Sequence, residues 1–206
     1  MRIALFGGTF DPIHRGHLAI AAAAANAFQL DTILFAPAGR QPLKPAGTPT
    51  PFADRLAMTA LACREDARFA VSELDAPHLD GTPNYTLHTI AALRQHVPAA
   101  TLFVLVGADS FLGLRRWHQP DRLLESAEWI VVSRPGFSLE HLSELHLSPT
   151  ESARVHLLDS VHEDVSATEL RERLRRGQTC AELLPAAVLD YIRQNCLYTG
   201  ATESVR

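Results

Sequence analysis

His14 and His17 stand three residues apart, just after Gly7-Gly8 and just before an alanine-rich run. Ahead of the glycines, Arg2-Ile3-Ala4-Leu5-Phe6 is apolar and β-prone, so it reads as a short buried strand that stops at Gly7-Gly8. Leu18 to Phe28 reads as a helix. A strand, a glycine turn and a helix opening in that order suit a phosphate. Glycine lets the backbone approach an anion, and the first helical turn offers unpaired N–H groups and a positive dipole end. If the helix has begun by His14, both imidazoles share one face of it. Such a site holds a polyphosphate. A histidine pair could also suggest a metal, but two ligands do not make a site and no third lies at a telling spacing.

The residues of this stretch carry a resemblance as well. Gly7-Gly8-Thr9-Phe10-Asp11-Pro12, followed by His14-Arg15-Gly16-His17, resembles the GGTFDPxHxGH signature of the HxGH nucleotidyltransferase superfamily. That superfamily includes adenylyltransferases for nicotinate mononucleotide, nicotinamide mononucleotide and phosphopantetheine, and some cytidylyltransferases. The resemblance implies that Gly7, Gly8, Thr9 and Phe10 belong to an ATP site. It also implies that His14 and His17 contact the phosphates and stabilise charge at the α-phosphorus while an acceptor phosphate attacks.

Size and composition bound the rest. The chain has 206 residues, 47% hydrophobic and 20% charged, which suits one good core and is short for two full domains. We therefore expect a single domain over 1–206, which the resemblance makes a nucleotidyltransferase domain. With a net charge of −4 and a pI near 6.2, a broad nucleic-acid surface is not expected. Cys63, Cys180 and Cys196 are too few and scattered for a disulfide framework or a zinc pattern, and fit thiols of a reducing cytosol. The N-terminal apolar run is broken by glycine too early for a signal peptide, and Leu18–Phe28 is too short for a membrane span. The expectation is a cytoplasmic protein with no membrane partner.

Along the chain, strands and helices alternate without internal repeats. Thr32–Ala36 reads as a second strand, halted at Pro37. Residues 38 to 51 read as a loop bearing Arg40 and Lys44 near the carboxyl end of a strand, where open parallel sheets bind ligands. Composition alone makes these two solvated charges; the resemblance makes Lys44 a phosphate contact. Many relatives read PPHK here, and this chain has Gln41-Pro42-Leu43-Lys44, so the usual His position is Leu43. A helix over about 52–63 and a short strand over 69–72 follow. Tyr85-Thr86 then opens a helix to about His96, which Thr86 can cap. Asn84-Tyr85-Thr86 also resembles the (S/N)YT element of nicotinate-mononucleotide adenylyltransferases, which implies that the helix start meets the pyridine carboxylate.

The later segments repeat the theme. Thr101–Val106 is continuously apolar, as in a strand with both faces covered, and ends at Gly107-Ala108-Asp109-Ser110. Asp109 suits either a ribose contact or a helix cap. Trp117, in a polar setting, suits either the core or stacking on a heterocycle. With Gly107-Ala108-Asp109-Ser110 it resembles the family's G(A/Q)DS…W segment, where the indole stacks on the nicotinate ring. Trp129–Val132 reads as a strand ending at Arg134, which suits a phosphate or a surface ion pair. Residues 137 to 154 are helix-tolerant and carry no signal. After a last strand, Val155–Leu158, the run Val165-Ser166-Ala167-Thr168-Glu169-Leu170-Arg171 reads as a capping box. It also resembles the superfamily's IS(A/S)TxIR motif, which implies that Ser166, Thr168 and Arg171 hold the β- and γ-phosphates. The Cys180–Tyr198 segment reads as packing.

Five alternating strands with crossover helices argue a doubly wound α/β domain. The resemblance, which covers nearly the whole chain, implies a Rossmann-like sheet with a small C-terminal helical part over about 166–198. It implies adenylyl transfer from ATP to nicotinate mononucleotide in NAD synthesis. Magnesium is expected as the cofactor, bridging phosphates rather than caged by protein. Nicotinamide mononucleotide and phosphopantetheine phosphate are alternative acceptors, and a non-catalytic nucleotide-binding regulator is a further alternative. Class I aminoacyl-tRNA ligases use a related histidine motif, but this chain is short, acidic and lacks a KMSKS-like loop.

Overall fold

The computed structural model describes residues 1–42, 50–133, 144–159 and 165–199. Six parallel strands form one sheet: β1 (Arg2–Gly8), β2 (Thr32–Pro37), β3 (Phe69–Val71), β4 (Thr101–Gly107), β5 (Glu128–Val132) and β6 (Val155–Leu158). Their order is β3-β2-β1-β4-β5-β6. The helices are α1 (Arg15–Ala27), α2 (Phe52–Ala62), α3 (Thr86–His96), α4 (Ala108–Leu112), α5 (Pro120–Ser126), α6 (Pro149–Ser152), α7 (Ala167–Arg175) and α8 (Ala186–Gln194).

The two-residue period of the strands divides the core. Ala4 and Phe6 of β1, with Ile33, Phe35, Phe103, Leu105, Ile130 and Val132, face α1, α2, α7 and α8. Ile3 and Leu5, with Leu102, Val104, Val106, Trp129 and Val131, face α3, α4 and α5. A strand with both faces covered must be apolar throughout, which is why these runs show no alternation in sequence. Small alanines on α1 (Ala21, Ala24, Ala25) let that helix lie close to the sheet.

The chain builds β1 to β3 outward on one side, then crosses through α3 to the other side of β1 and lays down β4 to β6. The strand order reverses between β1 and β4, and crevices open at such a point.

The architecture corrects several expectations. The sheet has six strands rather than five, the short strand expected over 69–72 being present as Phe69–Val71 and paired with β2 at Ile33–Phe35. β1 runs on through both glycines, since Gly7 and Gly8 stay in register with Ala36 and Pro37. α1 begins at Arg15, three residues before the expected start, and α6 lies in the stretch that carried no signal.

Candidate active site

At the mouth of α1 the N-cap is His14 in extended conformation (φ −143°, ψ 171°), and His17 is the third helical residue. The His14 backbone N–H donates to Nδ1 of His17 at 3.3 Å. That acceptor role places the His17 hydrogen on Nε2, away from the helix. The two rings stack, with centroids 3.7 Å apart and planes at 27°. His14 is 5% exposed, and its Nδ1 has no partner among the described residues. Burial lowers the His14 pKa to about 4. It holds His17 well below the ordinary histidine range too, with the neighbouring His14 a second cause. Both rings are therefore neutral hydrogen-bond donors at pH 7.

The loop that delivers these rings folds back under them. Phe10 adopts φ +47° and buries its ring against Phe6 (5.5 Å), Phe35 (5.7 Å) and the edge of His17 (5.0 Å). Gly8 makes this possible, because a Cβ there would lie 2.8 Å from the Phe10 ring. At 2% exposure, the Phe10 ring is closed off from the surface and supports His17. Arg55 on α2 is wholly buried and donates to the Thr9 carbonyl at 2.7 Å.

The second helix start lies at the other end of the chain. Ser166 caps α7, its hydroxyl accepting the Glu169 N–H at 3.5 Å. The reciprocal bond that completes a capping box, from the Ser166 N–H to the Glu169 carboxylate, is not seen. Arg171 donates to the Asp11 carbonyl at 2.7 Å and to Thr168 Oγ1 at 3.3 Å. So Arg171 ties the second helix start to the first loop.

A cavity of about 810 Å³ opens at the carboxyl ends of β1 and β4. Gly7, Gly8, Gly107 and Asp109 line one part of it, and Tyr85, Thr86 and Trp117 another. A Cβ on Gly7 or Gly107 would meet nothing within 4 Å. Asp109 is not the cap of α4, since Gly107 holds that position and Asp109 sits in the first turn. Thr86 is not a cap either: it is the first residue of α3, and the N-cap Tyr85 makes no side-chain cap bond. The start of α3 is therefore left without a side-chain cap beside the cavity. Trp117 lines the cavity and meets the wholly buried Trp129 edge-on at 6.3 Å. Trp117 thus packs against the core and also borders the cavity.

Three further lining residues, His118, Asp75 and Arg116, carried no signal of their own, and Asn84 entered only as part of the Asn84-Tyr85-Thr86 element. His118 stacks on Tyr85, with centroids 4.2 Å apart and planes at 26°. Asn84 accepts from the Arg40 N–H at 2.9 Å and donates to the Ala76 carbonyl at 2.9 Å, fastening two loops together. Asp75 lines the cavity, accepts from the Thr89 hydroxyl at 2.7 Å, and has its pKa raised by burial. Arg116 lies on the same wall. The Trp117-His118 pair in the sequence could have flagged His118; Asp75 sits in an ordinary polar loop. Lys44, Leu43 and Arg134 lie outside the described residues.

Comparison with known proteins accords with this geometry. The cytidylyltransferase-like family model matches residues 5–173. The protein named "probable nicotinate-nucleotide adenylyltransferase" in Solibacter usitatus (strain Ellin6076) is 42% identical over 96% of this chain and 100% of its own length. The protein of the same name in Neisseria meningitidis serogroup B is 41% identical over 96% of this chain and 98% of its own. The chain belongs to the nicotinate-nucleotide adenylyltransferase family. Among solved structures, Plasmodium falciparum nicotinic acid mononucleotide adenylyltransferase complexed with NaAD aligns with a TM-score of 0.73 at 16% identity. That alignment covers 96% of this chain and 97% of that one. The same Plasmodium enzyme complexed with APC aligns at 0.71 and 16%, over 96% of each chain. At such identity these two neighbours speak for the shared Rossmann-like fold of the adenylyltransferases. Among the described residues no helix is long and apolar enough to cross a membrane.

Proposed function

We propose that this chain transfers the adenylyl group of ATP to nicotinate mononucleotide, giving nicotinate adenine dinucleotide and pyrophosphate in NAD biosynthesis. One observation carries the reading. A single cavity at the β1/β4 reversal runs from the phosphate-type turn that precedes the stacked histidines to an uncapped helix start flanked by Tyr85 and Trp117. Polyphosphate and flat acidic ring would thus share one space.

In this reading the 5′-phosphate oxygen of the acceptor attacks the α-phosphorus in line. The new P–O bond forms as the α–β bridging P–O bond breaks, and its electron pair leaves with pyrophosphate. No protein nucleophile is needed, so positioning and charge stabilisation do the catalysis. His17, with its hydrogen on Nε2, would donate to an α-phosphate oxygen, and His14 to the neighbouring phosphate. Gly7, Gly8, Thr9, Gly107 and Asp109 would cradle the rest of ATP. Ser166, Thr168 and Arg171, with Lys44 from its loop, would take the departing pyrophosphate. Trp117 would stack on the pyridine, the α3 start at Tyr85-Thr86 would receive its carboxylate, and Arg134 would contact the acceptor phosphate. Magnesium would enter with ATP, as part of that substrate, and would supply charge neutralisation at the phosphates.

His17→Ala is the direct test. Turnover to the dinucleotide is expected to fall roughly 10²- to 10³-fold, the usual cost of one preorganised donor, with the circular-dichroism spectrum and melting curve retained. Turnover near wild type in a folded variant would remove His17 from the reaction.

A further inference from the structure

The structure assigns Tyr198 a positioning role: through Asp11, its phenol holds the loop that delivers His14 and His17. This rests on the adenylyl-transfer reading above and names a residue outside the motifs that suggested it. The segment around Tyr198, read from sequence as packing, does more than pack.

The Tyr198 hydroxyl donates to Asp11 Oδ1 at 2.5 Å, across 187 residues of sequence. Asp11 is 2% exposed, and its Oδ2 has no partner among the described residues. The phenol is thus a side-chain hydrogen-bond donor to this buried carboxylate, whose charge the Arg55 guanidinium also faces. A buried carboxylate that loses its donor is costly and relaxes by moving. Asp11 cannot move alone, since Pro12 and the wholly buried Ile13 connect it directly to His14.

The segment after α8 is shaped for this contact. Cys196 and Tyr198 both adopt left-handed backbone, with φ +50° and +58°, a conformation that costs a non-glycine residue unless its surroundings impose it. Leu197 and Tyr198 pack against the core on the α1 side of the sheet. Two further contacts from the C-terminal part grip the same loop: Arg171 on the Asp11 carbonyl at 2.7 Å, and the Leu183 carbonyl on the Arg15 N–H at 2.8 Å. Arg55 holds Thr9 from the other side. The stretch from Thr9 to Arg15 is pinned at both ends and at Asp11, and the His14–His17 stack depends on where those pins set it.

Tyr198→Phe keeps the ring and removes the donor. Tyr191→Phe is the control, because Tyr191 makes the same kind of bond to Asp54 on α2 at 2.9 Å without touching the loop. For Tyr198→Phe, kcat is expected to fall about tenfold, in keeping with the cost of a small misplacement, while KM for nicotinate mononucleotide stays within about twofold. The imidazole NMR signals of His14 and His17 should shift in the substrate-free protein, and Tyr191→Phe should change neither kcat nor those signals. Unmoved signals, a kcat within twofold of wild type, or an equal loss in Tyr191→Phe would each overturn the assignment. A wild type that makes no dinucleotide would instead sink the proposed function. The imidazole signals, read without substrate, would still decide the role of Tyr198.

Discussion

His14 and His17 stay neutral at pH 7 because burial opposes charging them, the first being lowered to about 4. A neutral imidazole donates one hydrogen bond per ring without first shedding the water shell of an ion, which suits a phosphate arriving in a partly dry mouth. The same burial has a cost in acid. Between pH 6.5 and 4 the unfolded chain takes up a proton at His14 that the folded chain refuses, so stability contributed by the neutral ring is present above 6.5 and lost as pH falls. Over that window the loss from His14 alone is on the order of 3 kcal/mol. Other groups titrate there too, so the measurement is a difference. The unfolding free energy of wild type minus that of His14→Gln, from urea titrations at pH 7 and pH 4, should fall by about that amount. An unchanged difference would mean that His14 titrates as an exposed histidine.

At the scale of elements, glycines at strand ends serve two distinct purposes. Gly39 lets the loop after β2 cross the loop after β3, where its N–H donates to the Asp75 carbonyl at 2.7 Å. A Cβ there would lie 2.5 Å from the Pro77 backbone nitrogen, so something must shift. Gly107, at the end of β4, has φ −71°, which any residue adopts, and its Cβ would point into open cavity. Gly39→Ala is therefore expected to destabilise by about 1–3 kcal/mol through overpacking. Gly107→Ala should keep the melting temperature and weaken ATP binding about tenfold, as read by calorimetric titration. The opposite pattern, or an unchanged ATP affinity in Gly107→Ala, would separate Gly107 from the nucleotide site. What the sequence disclosed follows the same division. Gly7 to His17 was legible because strand, turn and helix start are neighbours in the chain, and the apolar run of β4 declared two covered faces. The caps were less legible: Thr86 and Asp109 each miss the N-cap by a residue or two, a shift that propensity does not resolve. The Asp11 contacts were illegible, since Arg171 and Tyr198 reach it across 160 and 187 residues and nothing local marks them. Asp75 likewise gains its raised pKa from folding, not from its neighbours in sequence.

At the scale of the whole molecule, the doubly wound order gives the two halves of the chain different tasks. The β1–β3 half and the C-terminal helices would, on the proposed function, fix the phosphate end: the histidine pair, Asp11 and Arg171. The β4 side and α3 would, on the proposed function, fix the ring end: Trp117, Tyr85 and the uncapped helix start. The cavity lies where the strand order reverses, so each substrate would draw on both halves. The ring end would suit a flat acidic acceptor. The measurement is pyrophosphate release from magnesium-ATP with nicotinate mononucleotide, set beside nicotinamide mononucleotide and phosphopantetheine phosphate at matched concentrations. The account expects kcat/KM for the acid to exceed that for the amide by tenfold or more, about 1.4 kcal/mol of discrimination, with little release from the pantetheine compound. Equal use of acid and amide, or release with phosphopantetheine phosphate alone, would contradict it.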